Sequence, residues 1–315
     1  MWSPVRDLPC LCENRSSVSV QSPPTAFIIG AARSGTSLLY KALCLHPESA
    51  YFNNWMRRVP GAPQLTLTNR VARHTPRTRR RVWFGTDSNA YVYARTRSLG
   101  ERLYPMPVEG ESIFAHCGVG EGSSVPESAQ VRALRRAASG AVRWGGGTHF
   151  INKRIDNNRR IGLLAKAFPD ARFIDLTRDG RAVALSLSRV DWWEGSTVWW
   201  CGDTPEAWAL GGGDPWELCA RNWVEEVRVI DAGLSGVPAD QVLRLTYEEF
   251  VAEPREVLRR IAAFIGLSED RSWIAAVDTL RFPNRNAAWS TQLSTEAVAT
   301  IQSFQGPELA RRGYS

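Results

Sequence analysis

A short apolar run, a glycine turn and a helical pattern follow one another twice in this chain of 315 residues. The first such unit covers residues 26–45 and turns at 30–35, and the second covers 172–188 and turns at 178–180. In both units, a strand-like run precedes apolar residues at helical spacing. Buried strands that alternate with helices are typical of an α/β fold, in which helices flank a central parallel sheet. Such sheets bind ligands at the carboxyl ends of their strands.

Patterns elsewhere extend the sheet and its helices over most of the chain. Residues 241–246 predict a third strand. Helices are predicted over 123–140, 157–168, 216–234 and 254–265. The last of these has a proline at its start and Gly266 as its stop.

The amino-terminal residues differ from the rest of the chain. They lack apolar periodicity, mix charged residues with serine, and end near Ser22-Pro23-Pro24. We therefore expect an N-terminal tail over 1–25 and a single domain over 26–315. The sequence contains no run of 18 apolar residues and no clear signal peptide, so we predict a cytoplasmic protein without an integral membrane segment. Its six cysteines are scattered, which favours reduced thiols.

The charge balance indicates an anionic partner without identifying it. The net charge is +7 and the sequence pI is near 9.3. Such a surface suits a nucleotide, an acidic or sulfated substrate, a membrane surface or nucleic acid. Only three of the 39 basic residues are lysines, namely Lys41, Lys153 and Lys166. A lysine within a motif is therefore more informative here than in most chains.

The turn of the first unit has the spacing of a phosphate-binding loop. Residues 30–37 read GAARSGTS, which matches GxxxxGK[ST] except that Thr36 replaces the lysine. A glycine turn that enters a helix presents unpaired N–H groups and the positive end of the helix dipole to an anion. Because the lysine that reaches the β- and γ-phosphates of NTPs is missing, a donor without a γ-phosphate fits this loop better than ATP.

The second unit carries an arginine and a serine that could share a phosphate. Arg178 ends the strand and Ser186 lies eight residues later in the next helix. Arginine offers a planar fork of donors, and serine offers a short hydroxyl donor. The alternative is that Arg178 and Asp179 form a local ion pair while Ser186 only packs. The two units together favour a nucleotide with a phosphate at each end.

These motifs resemble those of the PAPS-dependent sulfotransferases of the tyrosylprotein and bacterial type, where PAPS is 3′-phosphoadenosine 5′-phosphosulfate. The matching segments are RSGTSL at 33–38, NK at 152–153, FPDARF at 168–173, RDGRA at 178–182 and LTYEEFVAEP at 245–254. The resemblance covers most of the chain. It implies a three-layer P-loop-like α/β fold and transfer of a sulfuryl group from PAPS to an acceptor hydroxyl, with release of the bisphosphate PAP and without a metal.

The resemblance also implies which residues contact the donor. The 5′-phosphate would be held by the loop residues Arg33, Ser34, Gly35, Thr36 and Ser37. Arg178 and Ser186 would hold the 3′-phosphate. Tyr247 resembles the family tyrosine near the nucleotide, and Arg285 could add a late 3′-phosphate contact.

Catalysis would require a cation at the leaving oxygen and a base for the acceptor hydroxyl. Lys153 stands where the resembling enzymes keep a lysine near the bridging oxygen, and Arg33 could assist it. The family's catalytic glutamate falls at Asn53 or Asn54 here, and an amide cannot act as a base. The remaining candidates for the base are Glu109, Glu111, His116 and His149, of which His149 precedes Lys153 by four residues.

Two further segments allow more than one interpretation. Residues 192–216 are rich in tryptophan and could line an acceptor cleft or pack as core. The prominent rings are Trp192, Trp193, Trp199, Trp200 and Trp208. The arginine-rich segment 70–81 could be a solvated face or an acidic-acceptor contact. The acceptor could be a carbohydrate, a lipid or natural product, or a phenol.

Two other functions compete with sulfuryl transfer. A P-loop kinase or NTPase would share the first loop but would require the missing lysine. A basic nucleic-acid-binding protein would use the arginine-rich segment 70–81, which contains no recognisable reader motif. We therefore expect a hydroxyl-bearing acceptor and no nucleic-acid partner.

Overall fold

A computed structural model describes residues 22–85, 98–120 and 127–314 of the chain. These residues form a five-stranded sheet with the order β2-β3-β1-β4-β5, and every neighbouring pair is parallel. The strands are β1 (Thr25–Ile29), β2 (Ser49–Ala50), β3 (His149–Lys153), β4 (Arg172–Thr177) and β5 (Val242–Thr246). The predicted α/β fold with a central parallel sheet is confirmed.

Helices connect the strands and cover both faces of the sheet. The first ten are α1 (Thr36–Leu43), α2 (Asn54–Arg58), α3 (Asn69–His74), α4 (Pro76–Phe84), α5 (Leu99–Leu103), α6 (Glu111–His116), α7 (Ser128–Gly145), α8 (Ile161–Ala167), α9 (Gly180–Leu187) and α10 (Asp191–Glu194). The others are α11 (Pro205–Leu210), α12 (Pro215–Leu234), α13 (Tyr247–Ala252), α14 (Pro254–Ile265), α15 (Arg271–Asp278), α16 (Ala288–Gln292) and α17 (Thr295–Arg311). Short 3₁₀ segments lie at Pro63–Thr68, Ile155–Arg159 and Ala239–Gln241.

Alternate residues of β1 face opposite layers of the molecule. Ile28 packs into a core with α1, α14 and α15, whereas Phe27 and Ile29 pack into a second core with α7 and α8. This alternation follows from the two-residue period of a strand. The sheet is thus buried on both sides, which is why β1 is apolar after Thr25.

Two strands were not predicted from the sequence. The edge strand β2 has only two residues, so it has no periodicity to detect. The strand β3 reads HFINK, and its last two residues, Asn152 and Lys153, are polar although buried. Buried polar residues are uncommon in a strand and hide its pattern.

The predicted helix stop at Gly266 is confirmed, whereas α7 continues to Gly145, beyond its predicted end at residue 140. Gly266 follows α14 with a φ of 82°, and Gly146 follows α7 with a φ of 81°. Such left-handed positions favour glycine, because other side chains clash there. The helix predicted over 157–168 is divided into a 3₁₀ segment and α8.

The predicted tail 1–25 lies almost wholly outside the described residues, as do Cys10 and Cys12. Pro24 lies beside the sheet, since its carbonyl accepts a hydrogen bond from Phe150 N at 2.8 Å. The cysteines that the structure describes are free thiols, namely Cys44, Cys117, Cys201 and Cys219. Within residues 22–85, 98–120 and 127–314, no helix is long and apolar enough to cross a membrane.

Candidate active site

The strand register brings three strand ends together at one edge of the sheet. Ile28 of β1 pairs with Lys153 of β3, and Ile29 pairs with Asp175 of β4. The residues that follow β1, β3 and β4 are therefore neighbours. This is the edge at which parallel sheets bind ligands.

The loop after β1 has an unusual backbone. Gly30, Arg33 and Gly35 have φ values of 148°, 73° and 89°. A positive φ is uncommon for a residue with a side chain such as Arg33. A Cβ added at Gly30 would lie 2.4 Å from the carbonyl oxygen of Leu176 in β4, so the loop depends on the absence of a side chain there.

The first turn of α1 leaves backbone donors without a side-chain cap. Gly35 is the N-cap residue and provides no capping hydrogen bond. Thr36 and Ser34 are buried beside it. The Oγ of Ser34 has no hydrogen-bond partner among the described residues. Uncapped N–H groups, the helix dipole and a buried hydroxyl make this loop suitable for an anion such as a phosphate.

The two predicted phosphate loops contact each other. Arg33 Nε donates to Ser186 Oγ at 3.0 Å, and Arg178 NH1 donates to the carbonyl oxygen of Arg33 at 2.9 Å. The first contact joins side chains, and the second ties a side chain to the backbone of the first loop. The structure therefore brings the two loops into direct contact at one edge of the sheet.

Arg178 also holds the chain that follows α15. Its Nε donates to Asn286 Oδ1 at 3.2 Å, and its NH2 donates to the carbonyl oxygen of Arg285 at 3.1 Å. The side chain of Arg285 is exposed at this position. Asp179, the neighbour of Arg178, pairs with Arg181 at 2.9 Å.

Tyr247 lies between the two loops. Its ring would meet a Cβ added at Gly35 at 2.6 Å, and the guanidinium of Arg178 lies 4.3 Å from the ring centroid. The hydroxyl of Tyr247 donates to the carbonyl oxygen of Pro283 at 3.0 Å. The tyrosine thus packs against both loops.

Lys153 connects the first loop to a carboxylate. Its Nζ lies 3.2 Å from Ser37 Oγ and 2.5 Å from Glu109 Oε1. Lys153 is buried, whereas about a quarter of the Glu109 side chain is exposed, 28%. A buried ammonium is stabilised by such a partner, and the carboxylate keeps access to solvent and to an incoming ligand.

Glu109 reaches this position from a segment beside Asn53 and Asn54, one of which is expected, from the family resemblance, at the position of the family glutamate. Asn53 forms a bridge with Pro107, and Val108 N donates to the carbonyl oxygen of Phe52 at 2.9 Å. Asn53 caps α2, and Asn54 Nδ2 donates to backbone carbonyls of the 102–104 segment. These amides have structural roles, and the nearby carboxylate is supplied by the adjacent segment.

Among the described residues, the hydrogen bonds and ion pair of Lys153 Nζ go to Ser37 and Glu109 and not to the other three candidate bases. His149 begins β3 and Lys153 ends it, which separates them by about 13 Å. His149 contacts Thr148, and burial lowers its pKa. His116 is exposed at the end of α6, and Glu111 pairs with Arg154.

The tryptophan-rich segment contains both buried rings, which pack in the core, and exposed rings, which could contact an acceptor. Trp193 is buried in a core with α9 and α12, and Trp200 packs against Trp208 at a centroid distance of 6.2 Å. Trp192 and Trp199 remain substantially exposed.

The arginine-rich segment forms α3 and α4, where Arg73 donates to backbone carbonyls including that of Ser49, at 2.9 Å.

Sequence reasoning did not find the residues that support the first loop. Asn158 hydrogen-bonds to both backbone groups of Gly30, and Glu226 hydrogen-bonds to Asn158. These residues are far apart in the sequence and match no local motif, so only the folded structure reveals them.

The sheet and its strand-end loops define an α/β protein of the P-loop-like class. A model of the Sulfotransferase family matches residues 24–271, and the chain belongs to this family. The sequence-based prediction of a sulfotransferase is confirmed.

Solved structures show the same fold. One is sulfotransferase STF9 from Mycobacterium avium, with 15% identity, a TM-score of 0.57, and coverage of 93% of this chain and 78% of that one. Another is the sulfotransferase domain from the curacin biosynthetic pathway, with 15% identity, a TM-score of 0.52, and coverage of 93% and 98%.

Proposed function

We propose that this sulfotransferase uses PAPS as its donor and transfers the sulfuryl group to an acceptor hydroxyl. The observation that carries the proposal is the contact between the two loops, through Arg33 with Ser186 and Arg178 with the Arg33 carbonyl. Two anion sites in one cleft suit a nucleotide with phosphates at both the 5′ and 3′ positions. When bound, PAPS would supply an activated sulfuryl group with PAP as the leaving group.

We assign the 5′-phosphate to the first loop. Its uncapped N–H groups and the hydroxyls of Ser34, Thr36 and Ser37 would hold the anion. The buried and unpartnered Oγ of Ser34 supports this assignment, because a buried hydroxyl without a partner carries a free-energy cost that a ligand oxygen would relieve. We assign the 3′-phosphate to Ser186 and Arg178, with Arg33, Tyr247 and Arg285 around them.

We assign proton transfer to Glu109 and charge stabilisation to Lys153. Lys153 Nζ, between Ser37 and Glu109, is close to the first loop and can stabilise negative charge that develops on the departing phosphate oxygen. The partly exposed Glu109 carboxylate can accept the proton of the acceptor hydroxyl. His149, at the other end of β3, is not included in this mechanism.

The acceptor is assigned only as a hydroxyl compound that enters on the Glu109 side. Trp192 and Trp199 are exposed rings that could contact a sugar, an aromatic group or a lipid. A cytoplasmic location and independence of metal ions stay predictions.

Calorimetric titration with PAP and with ATP tests the donor assignment. We expect PAP to bind at least about tenfold more tightly than ATP, since the second loop offers contacts for a 3′-phosphate. Tight binding of Mg-ATP without binding of PAP would contradict the proposal and favour a kinase or NTPase.

The proton-transfer assignment is tested by Glu109→Gln and Lys153→Ala with labelled PAPS and a panel of hydroxyl acceptors. Loss of one preorganised group typically lowers the rate about 100- to 1000-fold. We expect Glu109→Gln to retain PAP binding and to lose turnover. His149→Gln is the comparison variant, and a loss of turnover there equal to that of Glu109→Gln would refute the assignment.

A further inference from the structure

The side chain of Asn158 forms hydrogen bonds with both backbone groups of Gly30, the first residue of the phosphate loop. Gly30 N donates to Asn158 Oδ1 at 3.1 Å, and Asn158 Nδ2 donates to the Gly30 carbonyl oxygen at 3.1 Å. Asn158 is fully buried beneath the loop. Gly30 is the point at which the chain leaves β1, so its position sets the course of the residues up to α1.

Glu226 of α12 fixes the orientation of the Asn158 amide. The second hydrogen of Asn158 Nδ2 is donated to Glu226 Oε2 at 2.5 Å. Both oxygens of Glu226 accept hydrogen bonds in the structure, so the NH₂ group of Asn158 faces Glu226 and its amide oxygen is left to Gly30. Two further donors reach Glu226 Oε1, Trp199 Nε1 at 2.8 Å and Arg159 NH1 at 3.3 Å. A buried carboxylate with three donors forms a satisfied network.

The same network reaches the tryptophan-rich segment. Trp199 is partly exposed, and the guanidinium of Arg159 lies over its ring at 5.0 Å from the centroid. A chain of direct contacts therefore runs from Gly30 through Asn158 and Glu226 to Trp199. One end is the phosphate loop and the other is an exposed aromatic ring on the molecular surface.

We infer that Asn158 is a positioning residue for the 5′-phosphate loop, held by Glu226, which also links the loop to the tryptophan-rich segment through Trp199. The inference rests on the proposed donor, because it assigns the first loop to the 5′-phosphate. A loop that is already fixed before the ligand arrives does not lose conformational freedom on binding, and this increases affinity. The effect should be strongest on the first loop, since Asn158 hydrogen-bonds to Gly30, whereas the second loop is linked to Asn158 only indirectly, through Arg33.

Three nucleotides distinguish this role from a general loss of structure. PAP carries both phosphates, 5′-AMP carries only the 5′-phosphate, and 3′-AMP carries only the 3′-phosphate. For Asn158→Ala, calorimetry should show about a tenfold loss of affinity for PAP and for 5′-AMP, because two hydrogen bonds to the loop are removed. The affinity for 3′-AMP should fall clearly less, because Asn158 reaches the second loop only through Arg33.

Two more variants complete the test. Glu226→Gln keeps the side-chain shape but loses the carboxylate, and we expect a loss of about threefold for PAP and 5′-AMP, again with a smaller change for 3′-AMP. If Asn158→Ala does not fold, the Glu226→Gln variant tests whether Asn158 positions the first loop. Asn222→Ala is the matched control, since Asn222 is a buried amide on the same helix that accepts from Trp200 Nε1 at 3.3 Å. All three of its affinities should equal those of the wild type.

Two outcomes would overturn the inference in different ways. Equal losses for 5′-AMP and 3′-AMP, or no loss for either, would show that Asn158 does not act on the first loop while leaving the donor assignment intact. Wild-type protein that binds neither PAP nor 5′-AMP would reject the donor assignment and the inference together.

Discussion

The loops after β1 and β4 have the same order of elements but differ in which part of the chain forms the site. The first loop depends on its backbone: two glycines and Arg33 have positive φ, and α1 begins without a side-chain cap. The second depends on side chains: Asp179 caps α9 and pairs with Arg181, while Arg178 bonds to three oxygens. A backbone site is sensitive to added atoms, and a side-chain site is sensitive to removed ones.

Gly30→Ala should reduce stability the most, because it adds an atom to the backbone-dependent loop. The new Cβ would lie 2.4 Å from the Leu176 carbonyl oxygen at a φ of 148°. Overpacking and an unfavourable φ together should lower the free energy of unfolding by about 4 kcal/mol. Urea denaturation measures this change.

Gly162→Ala is the matched control for that prediction. A Cβ at Gly162 meets no atom within 4 Å, and the residue lies in the helix α8. Alanine favours a helix over glycine, so stability should stay equal or rise by up to about 1 kcal/mol. If Gly30→Ala were as stable as Gly162→Ala, the first loop would not depend on its backbone.

Arg178→Ala tests the side-chain-dependent loop and should have the next largest effect. The sequence alone predicts a loss of PAP affinity with an intact fold. The structure adds that Arg178 holds the Arg33 and Arg285 carbonyls, so we also expect a lower melting temperature. Hydrogen bonds from a charged group suggest about a 100-fold loss of PAP affinity.

Arg178→Lys separates the charge of this residue from its shape. Lysine keeps the charge but lacks the planar fork that reaches several oxygens at once. Calorimetry should therefore show an affinity for PAP between those of the wild type and Arg178→Ala. An affinity equal to that of the wild type would mean that charge alone is sufficient and that the loop contacts are not required.

Ser34→Ala and Ser186→Ala compare one hydroxyl from each loop. Ser34 Oγ is buried without a partner among the described residues, so its removal should leave the free protein equally or more stable. Ser186 Oγ accepts from Arg33, so its removal should slightly destabilise the free protein. Both variants should bind PAP about tenfold more weakly. A loss of stability in Ser34→Ala would contradict the predicted difference.

The sequence predicted those parts of the molecule that are encoded by a pattern within a short segment of the chain. The glycine loop, the turn at Arg178 and the strands β1, β4 and β5 each occupy a short contiguous segment. The strand β3 was missed because it ends in the buried polar residues Asn152 and Lys153. The loop contacts join residues more than a hundred positions apart, as Arg33 and Ser186 do, and no local pattern encodes such pairs.

Spacing in the sequence likewise does not show which candidate base lies beside Lys153. His149 precedes Lys153 by four residues, but a strand extends by about 3.3 Å per residue, so the two residues lie at opposite ends of β3. Glu109 is distant in sequence yet lies 2.5 Å from Lys153 Nζ, since its segment pairs with the chain at Asn53. Proximity in sequence is informative along a helical turn and misleading along a strand.

Asp175→Asn extends the comparison to the strands beneath the two loops and should have the smallest effect. Every residue of β1 is apolar apart from Thr25, whereas β4 contains the buried Asp175. Burial raises the pKa of Asp175 to about 6, with Asp231 adding to the shift and Arg312 and Arg244 opposing it. The folded protein therefore binds a proton that the unfolded chain releases near pH 4.

The sign of the pH dependence follows from that shift. Because the folded pKa is the higher one, the stabilising contribution of the protonated acid is present below about pH 4 and is lost as the pH rises through about 6. Between pH 5 and 7 the wild type should lose about 1 kcal/mol that Asp175→Asn does not lose. Urea denaturation of both proteins at each pH measures the difference, and parallel pH profiles would show that Asp175 is ionised in the folded protein throughout this range.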